Sequence, residues 1–394
     1  MMQIGIDKMG LFTPNTYLDL VMLANARGVD PDKFTIGIGQ DQMAIAPLSQ
    51  DSVTMGVNAA LDLLDGENRD NISLLVLGTE SGIDQSKAGA LYIQRLLGLQ
   101  NARAFEIKEA CYGATAGLMT AYDYVTAHPD QKALVIGSDI ARYGLETPGE
   151  VTQGAGAVAM LVSAQPRLMV LEPQTTVHSA DVQDFWRPNY SKEAFARGKY
   201  STEQYIDFFQ KTWADYRNTT DRTIADFKAL CFHLPYTKMG LKALRTILPE
   251  ATEAQQADLL ARYQESTLYS RQIGNIYTGS LYLGLMSLLE QSQQLQAGDR
   301  IGLFSYGSGA ISEFFTAILQ PNFETQLAAQ KHADLLAKRQ QLTMAEYETQ
   351  FQTELPEDGS AFEIDLTVDP SPVVLTRMKE HERIYEVLTQ AVKP

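Results

Sequence analysis

Two patterns of apolar and polar positions recur along the chain. Short, nearly unbroken apolar runs such as "SLLVLG", ending at Gly78, and "ALVIG", ending at Gly137, predict buried strands. Longer stretches with apolar residues three and four apart predict helices. Read this way, strands are expected over Asn71–Gly78, Arg103–Lys108, Lys132–Asp139, Gly154–Val162, Phe227–Leu234 and Arg300–Gly307. Helices are expected over Asp84–Leu99 (with Leu91, Leu96 and Leu97 among the apolar positions), Cys111–His128, Thr237–Leu248 and Asn275–Gln291. Strands alternating with helices indicate an α/β protein.

The order strand, polar residue, helix, further chain, helix, strand occurs twice, which suggests a weak internal duplication. The expected division is a first half over residues 1–166 and a second over 167–394. Two regions break the theme. Residues 182–222 are rich in aromatics and charge and read as an inserted, mostly helical cap. Residues 325–360 read as a polar amphipathic helical stretch followed by a loop. No Pro/Gly-rich linker separates independent modules.

Composition narrows the function classes. The formal net charge of −16 over 394 residues argues against nucleic acid as a partner, because binding phosphates takes a basic surface. An anionic substrate would need a local cationic patch set against that field. Two cysteines cannot make a disulfide framework and suit a reducing compartment. The N-terminal apolar run is interrupted by Asp7 and Lys8, which does not suit a signal peptide, and no apolar stretch has the length of a membrane span. A soluble cytoplasmic protein is expected.

Five places could carry chemistry. Cys111 stands where a strand gives way to a helix, so the helix dipole and unpaired N–H groups would favour a thiolate there and could hold an oxyanion. A buried, inert cysteine is the alternative. Gly113 and Gly117 in the following helix imply close packing, since glycine costs roughly 1 kcal/mol against alanine in a helix. Glu80 follows a strand among small residues; desolvated it would be a general base, solvated a simple loop residue. His233 ends a strand, where α/β folds bind ligands, or it is a satisfied core histidine. Asn275 and Ser308 could each donate to a carbonyl oxygen, and Asn275 is equally a helix cap. Lys238 and Lys242 lie four apart on one helix face beside His233, as a phosphate-binding pair or as solvated lysines. Cys231, inside a strand, reads as structural.

Taken together these segments resemble one family. Glu80, "EACYGATAGL" around Cys111, "FHLPYTKMGLKAL" around His233, "GNIYTGSLYLGL" and "FSYGSGA" occur in the order found in hydroxymethylglutaryl-CoA synthases, and "DKFTIGIGQ" and "GKYS" also fit. The resemblance spans nearly the whole chain and is nearest to the compact bacterial form. It implies a thiolase-like fold, layered αβαβα from two pseudo-duplicated halves, and a homodimer. It implies condensation of acetyl-CoA with acetoacetyl-CoA on the mevalonate route to isoprenoids. No cofactor beyond these CoA thioesters, no metal and no membrane are implied. Carried over by position, Cys111 is the nucleophile, Glu80 the general base, and His233 the group that positions the acetoacetyl ketone. Asn275 and the Ser308 N–H contact substrate, and Lys238 and Lys242 meet the CoA arm. Asp30, Pro31, Tyr143, Thr147, Thr152 and Ser201 line it. A decarboxylating ketoacyl synthase would share the fold and the asparagine motif but has no need of the Glu80 carboxylate. A thiolase typically uses a second cysteine near its C-terminus, and none follows Cys231.

Overall fold

The computed structural model of the chain describes residues 2–388. Met1 and residues 389–394, at the ends of the two expected halves, lie outside the described residues. Ten strands form the main sheet: β1 (Ile4–Phe12), β2 (Ile72–Gly78), β3 (Arg103–Ile107), β4 (Lys132–Ala141), β5 (Gly154–Ala164), β6 (Met169–Leu171), β7 (Thr176–Ser179), β8 (Ala229–Phe232), β9 (Arg300–Gly307) and β10 (Ile311–Leu319). Their order is β8-β9-β10-β6-β1-β5-β4-β2-β3, with β7 paired to β10.

The duplication is visible in this order. From the central β1–β6 pair outwards, β1-β5-β4-β2 and β6-β10-β9-β8 repeat the same directions: two antiparallel pairings, then a parallel one. The halves join where Gly5 lies opposite Val170. A Cβ on Gly5 would sit 2.1 Å from the Met169 carbonyl oxygen, so no side chain fits at the seam.

Helices α1 (Ser52–Leu64) and α2 (Gly89–Leu97) cover the first half, α1 capped by the Asp51 carboxylate on the N–H groups of Val53 and Thr54. Helix α3 (Gly113–Ala127) runs through the middle of the molecule. On the second half α4 (Gly198–Thr220) and α5 (Thr237–Ile247) form the other outer layer, and α6 (Ser280–Gln291) is the central partner of α3. The Thr115 and Tyr282 hydroxyls meet at 2.7 Å between the two central helices, and Thr115 donates to Ser305 of β9. The close packing implied by the α3 glycines is present: a Cβ on Gly78 would lie 2.3 Å from the Ala114 nitrogen, so β2 and α3 touch backbone to backbone. The aliphatic core runs through both halves, while β8–β10 and α4 share an aromatic one, to which α4 contributes Tyr205, Phe208, Phe209, Trp213 and Tyr216 at spacings of three and four.

Three expectations are corrected. The helix expected from Asp84 starts at Gly89, because Asp84 spends its carboxylate on the N–H groups of Ser86 and Lys87 in a turn. Leu91, expected in its apolar stripe, is 43% exposed. The cap is helical only from Gly198; its first part is loop around a two-residue hairpin, Phe185–Trp186 with Phe195–Ala196. The stretch after 325 is two short helices, α7 (Ala329–Ala337) and α8 (Met344–Gln352). Helix α7 is clamped to α1 and α6 by His332, which is 1% exposed and bonds Asp62 at 2.7 Å and Glu290 at 2.9 Å.

Candidate active site

Strand β2 ends at Gly78, and the chain turns through Thr79-Glu80-Ser81 under the control of one buried side chain. Asp139, on neighbouring β4, is 0% exposed. Its Oδ1 accepts from the Thr79 hydroxyl, the Glu80 N–H at 2.7 Å, and the N–H and hydroxyl of Ser81. Its Oδ2 accepts from the N–H and hydroxyl of Thr278, in the turn before α6. The loop carrying Glu80 is therefore pinned to both halves.

Cys111 lies two residues before α3, 8% exposed, and its thiol donates to Glu80 Oε1 at 3.0 Å. The thiolate expected from the helix terminus is corrected by this environment. Burial, and then the Glu80 carboxylate, push the Cys111 thiol well above the usual cysteine range. The macrodipole acts within the first turn, and Cys111 lies just outside it. Glu80 itself is pushed up to about 8 by burial and then by Asp139, with Glu109 adding in the same direction. Two opposing groups, the Cys111 thiol and the Arg187 guanidinium, favour its charged form. Cys231 is also buried, which pushes its thiol up to about 12, and no partner offsets the effect.

His233 follows β8 as Glu80 follows β2. It is 1% exposed, and burial pulls its imidazole down to about 3, so it is neutral at physiological pH. Its Nδ1 has no partner. Its backbone is fixed on both sides: its N–H donates to Phe304, and its carbonyl accepts from the Tyr205 hydroxyl at 2.7 Å. Among the described residues His233 forms no hydrogen bond with Cys111 or Glu80, and a chain of packed side chains leads from one to the other. The Tyr205 ring packs 5.3 Å from Tyr306, whose hydroxyl donates to Asp184. Beside Asp184, Phe185 belongs to the cluster around Cys111, Tyr143 and Tyr277.

The other expected residues fall into two groups. Tyr143 packs in the cluster around Cys111, Asn275 reaches its hydroxyl, and Thr147 and Thr152 lie in the loop that follows Tyr143. Asn275 is buried; its Oδ1 accepts from Tyr277 N–H and the Ser280 hydroxyl, a capping role, while its amide donates to the Tyr143 hydroxyl at 3.5 Å. The hydroxyls of Thr147 and Thr152 bond carbonyls of their own loop. Ser308 occupies the β9–β10 turn, beside the N–H of Gly309 that binds Asp184. The second group lies on a more exposed face. Lys238 packs on Gly39, at the end of the turn that Asp30 and Pro31 begin. Lys242 is exposed and donates to Tyr236. Ser201, in the first turn of α4, donates to Asp184.

Sequence reasoning missed Asp139, Asp184, Tyr277 and Arg187. Asp139 and Asp184 are each 0% exposed, and an acid inside a run such as "ALVIGSDIA" is the available signal. Tyr277 combines a φ of +41° with a buried, unpartnered hydroxyl next to Cys111. A cavity of about 620 Å³ opens onto Glu80 and Arg187; the larger one, about 1170 Å³, lies by Asp62 and His332 and touches none of the expected site residues.

Residues 1–166 match the hydroxymethylglutaryl-coenzyme A synthase N-terminal family, and residues 249–357 match its C-terminal counterpart. The chain is 52% identical over 358 residues to the hydroxymethylglutaryl-CoA synthase of Enterococcus faecalis, covering 91% of this chain and 94% of that one. The chain belongs to the hydroxymethylglutaryl-CoA synthase family. It is an acyl-transferring condensing enzyme of that family, with the thiolase-like α/β fold. A crystal structure of an HMG-CoA synthase complexed with CoA superposes with a TM-score of 0.96 at 46% identity, covering 98% of this chain and all of the other. A synthase in complex with 3-hydroxy-3-methylglutaryl coenzyme A superposes with a TM-score of 0.88 at 35% identity, covering 98% and 99% of the two chains. These two relatives thus hold CoA and a CoA thioester, which indicates CoA-thioester substrates for this chain. No helix among the described residues is long and apolar enough to cross a membrane.

Proposed function

We propose that the chain condenses acetyl-CoA, acetoacetyl-CoA and water into 3-hydroxy-3-methylglutaryl-CoA and free CoA, through an acetyl thioester on Cys111, in the mevalonate route to isoprenoids. The observation that carries this reading is the 3.0 Å bond from the Cys111 thiol to Glu80, because it pairs a nucleophile with a base whose affinity for protons is raised. As sulfur attacks the acetyl carbonyl, Glu80 takes the thiol proton and passes it to the departing CoA sulfur. The regenerated carboxylate then removes a proton from the acetyl methyl group. The resulting carbanion adds to the ketone of acetoacetyl-CoA, and the alkoxide so formed takes up the proton that Glu80 removed, which returns Glu80 to the carboxylate. Water finally hydrolyses the Cys111 thioester, releasing the new carboxylate and restoring the thiol.

His233 enters as a neutral imidazole that hydrogen-bonds the ketone oxygen and then the alkoxide. Its low affinity for a second proton suits this role better than that of a standing acid. The N–H groups of Cys111 and Ser308 polarise the acetyl carbonyl, and Asn275 holds the acetoacetyl part. Lys238 and Lys242, with Asp30, Pro31 and Ser201, receive the CoA arm; Tyr143, Thr147 and Thr152 line its inner end. The two halves meet at residues 166 and 167, at the close of β5. A homodimer is supported by β3, which ends the ten-stranded sheet with one edge free. Two free thiols are compatible with the cytoplasm.

Labelled acetyl-CoA tests the core of the reading. Wild-type protein should retain acid-stable label, and Cys111→Ser should retain none. Label that survives this substitution would refute the assignment.

A further inference from the structure

Glu80 is buried among groups that act on its ionisation in opposite directions. Asp139 from β4 and Glu109 from the loop before α3 oppose it, the Cys111 thiol favours it, and the Tyr143 and Tyr277 rings stand close by. Lys108 and Arg142 also line the cavity onto which Glu80 opens, but the cation that acts on its carboxylate is Arg187. Its guanidinium donates to the backbone carbonyl of Glu80, and among the described residues it forms no ion pair with any carboxylate. Both side chains line the same cavity. The segment that delivers it is anchored on each side. Asp184, three residues earlier, is completely buried and accepts from Gly309 N–H and the Tyr306 hydroxyl, both in the second half. Trp186 stacks on Phe195 across the hairpin, with Arg197 over its ring, and Pro188 stiffens the exit. An arginine committed to no acid, seated on the main chain of the base, has one evident electrostatic target.

We infer that Arg187 is a positioning residue for the condensation: it holds the Glu80 loop by its carbonyl and sets a positive charge beside the Glu80 carboxylate, which favours the ionised form in a buried, acid-lined pocket. This rests on the reading of Glu80 as the base. An opposite charge within a few ångströms lowers a carboxyl pKa by about one to three units, and removing it restores the penalty of burial beside Asp139. Because Glu80 also receives the Cys111 proton, thiol acetylation and condensation should both depend on the same ionisation.

The experiment is a pH profile, from about 6 to 10, of CoA release from acetyl-CoA and of 3-hydroxy-3-methylglutaryl-CoA formation, in wild type, Arg187→Gln, Arg187→Met, Arg187→Lys and Glu80→Gln. Glutamine keeps a donor for the carbonyl without the charge, and lysine keeps the charge without the planar fork. The neutral variants should move the rising limb upwards by about one pH unit in both assays, and lysine should leave it close to wild type. Profiles of the neutral variants that superimpose on wild type, however low their rate, would overturn the inference while leaving the base assignment intact. So would a lysine variant that shifts as far as glutamine, or failure of both neutral variants to fold when lysine folds. Glu80→Gln separates the two claims: it should lose the limb altogether, and a limb that persists unchanged would remove the base assignment and this inference together.

Discussion

Glu80 and His233 occupy equivalent places in the two halves, each just beyond a strand that runs parallel to its neighbour, and the same force acts on both. Burial penalises charge whatever its sign, so it raises the carboxyl to about 8 and lowers the imidazole to about 3. The repeated scaffold thus yields a carboxyl with a raised affinity for protons and an imidazole that stays neutral. The duplication supplies position, and the residue type at that position supplies the chemistry. His332 completes the comparison. It is as deeply buried as His233, at 1% exposure, and burial pulls it down as well, but hydrogen bonds to Asp62 and Glu290 outweigh burial and raise it to about 9. Equal burial therefore gives one neutral and one charged histidine, and the neighbouring carboxylates make the difference.

The largest way to test the division of labour is to exchange the two groups for neutral isosteres. Glu80→Gln should reduce product formation by roughly 10²- to 10⁴-fold, with label still transferred to Cys111 to a larger extent than condensation proceeds. His233→Asn should cost about 10²-fold, concentrated in the use of acetoacetyl-CoA. Losses shared equally by both half-reactions in the histidine variant would contradict its placement against the ketone.

Next in size is the pH response. With Glu80 as the proposed base, the rate should rise with pH, falling about tenfold per unit below a midpoint near pH 8. His233 should add no inflection near its ordinary value of 6.5, because its own transition lies near 3. A second limb near 6.5 that disappears in His233→Asn would show the imidazole to be charged in the working enzyme.

The smallest effect concerns stability. The pKa of His332 is raised by folding, so its stabilisation is complete below about 6.5 and is lost as pH climbs through about 9. The stake is roughly 3 kcal/mol, read as a falling Tm between pH 7 and 10. His332→Gln should flatten that fall; an equally steep fall in the variant would mean that the clamp on α7 does not titrate.

The strand ends and the central helices were legible, and Glu80, Cys111 and His233 stood out as candidates, because each lies at a punctuation point between an apolar run and its successor. "SLLVLGTE" and "KALCFHL" carry their polar residue where the pattern breaks. The protonation of Cys111 was not legible. Proximity to a helix start is a local property, whereas the desolvation and the carboxylate that outweigh it come from 31 residues away in sequence. Asp139 and Arg187 escaped for a related reason. One looks like the ordinary end of a strand and the other like a solvated charge in an aromatic loop, and only the tertiary arrangement aims both at Glu80. The first part of the cap misled because its aromatic residues serve a hairpin and a stack and do not form a helical stripe.

Asp139 deserves a last consideration, since its two oxygens serve different masters: one gathers the turn that holds Glu80, the other the turn that opens α6. Any sliding of one repeat past the other would strip donors from a carboxylate that has no access to solvent. A graft that cuts between the repeats must therefore carry Asp139 and Thr278 together, and one that replaces the hairpin must keep Arg187 on the Glu80 carbonyl.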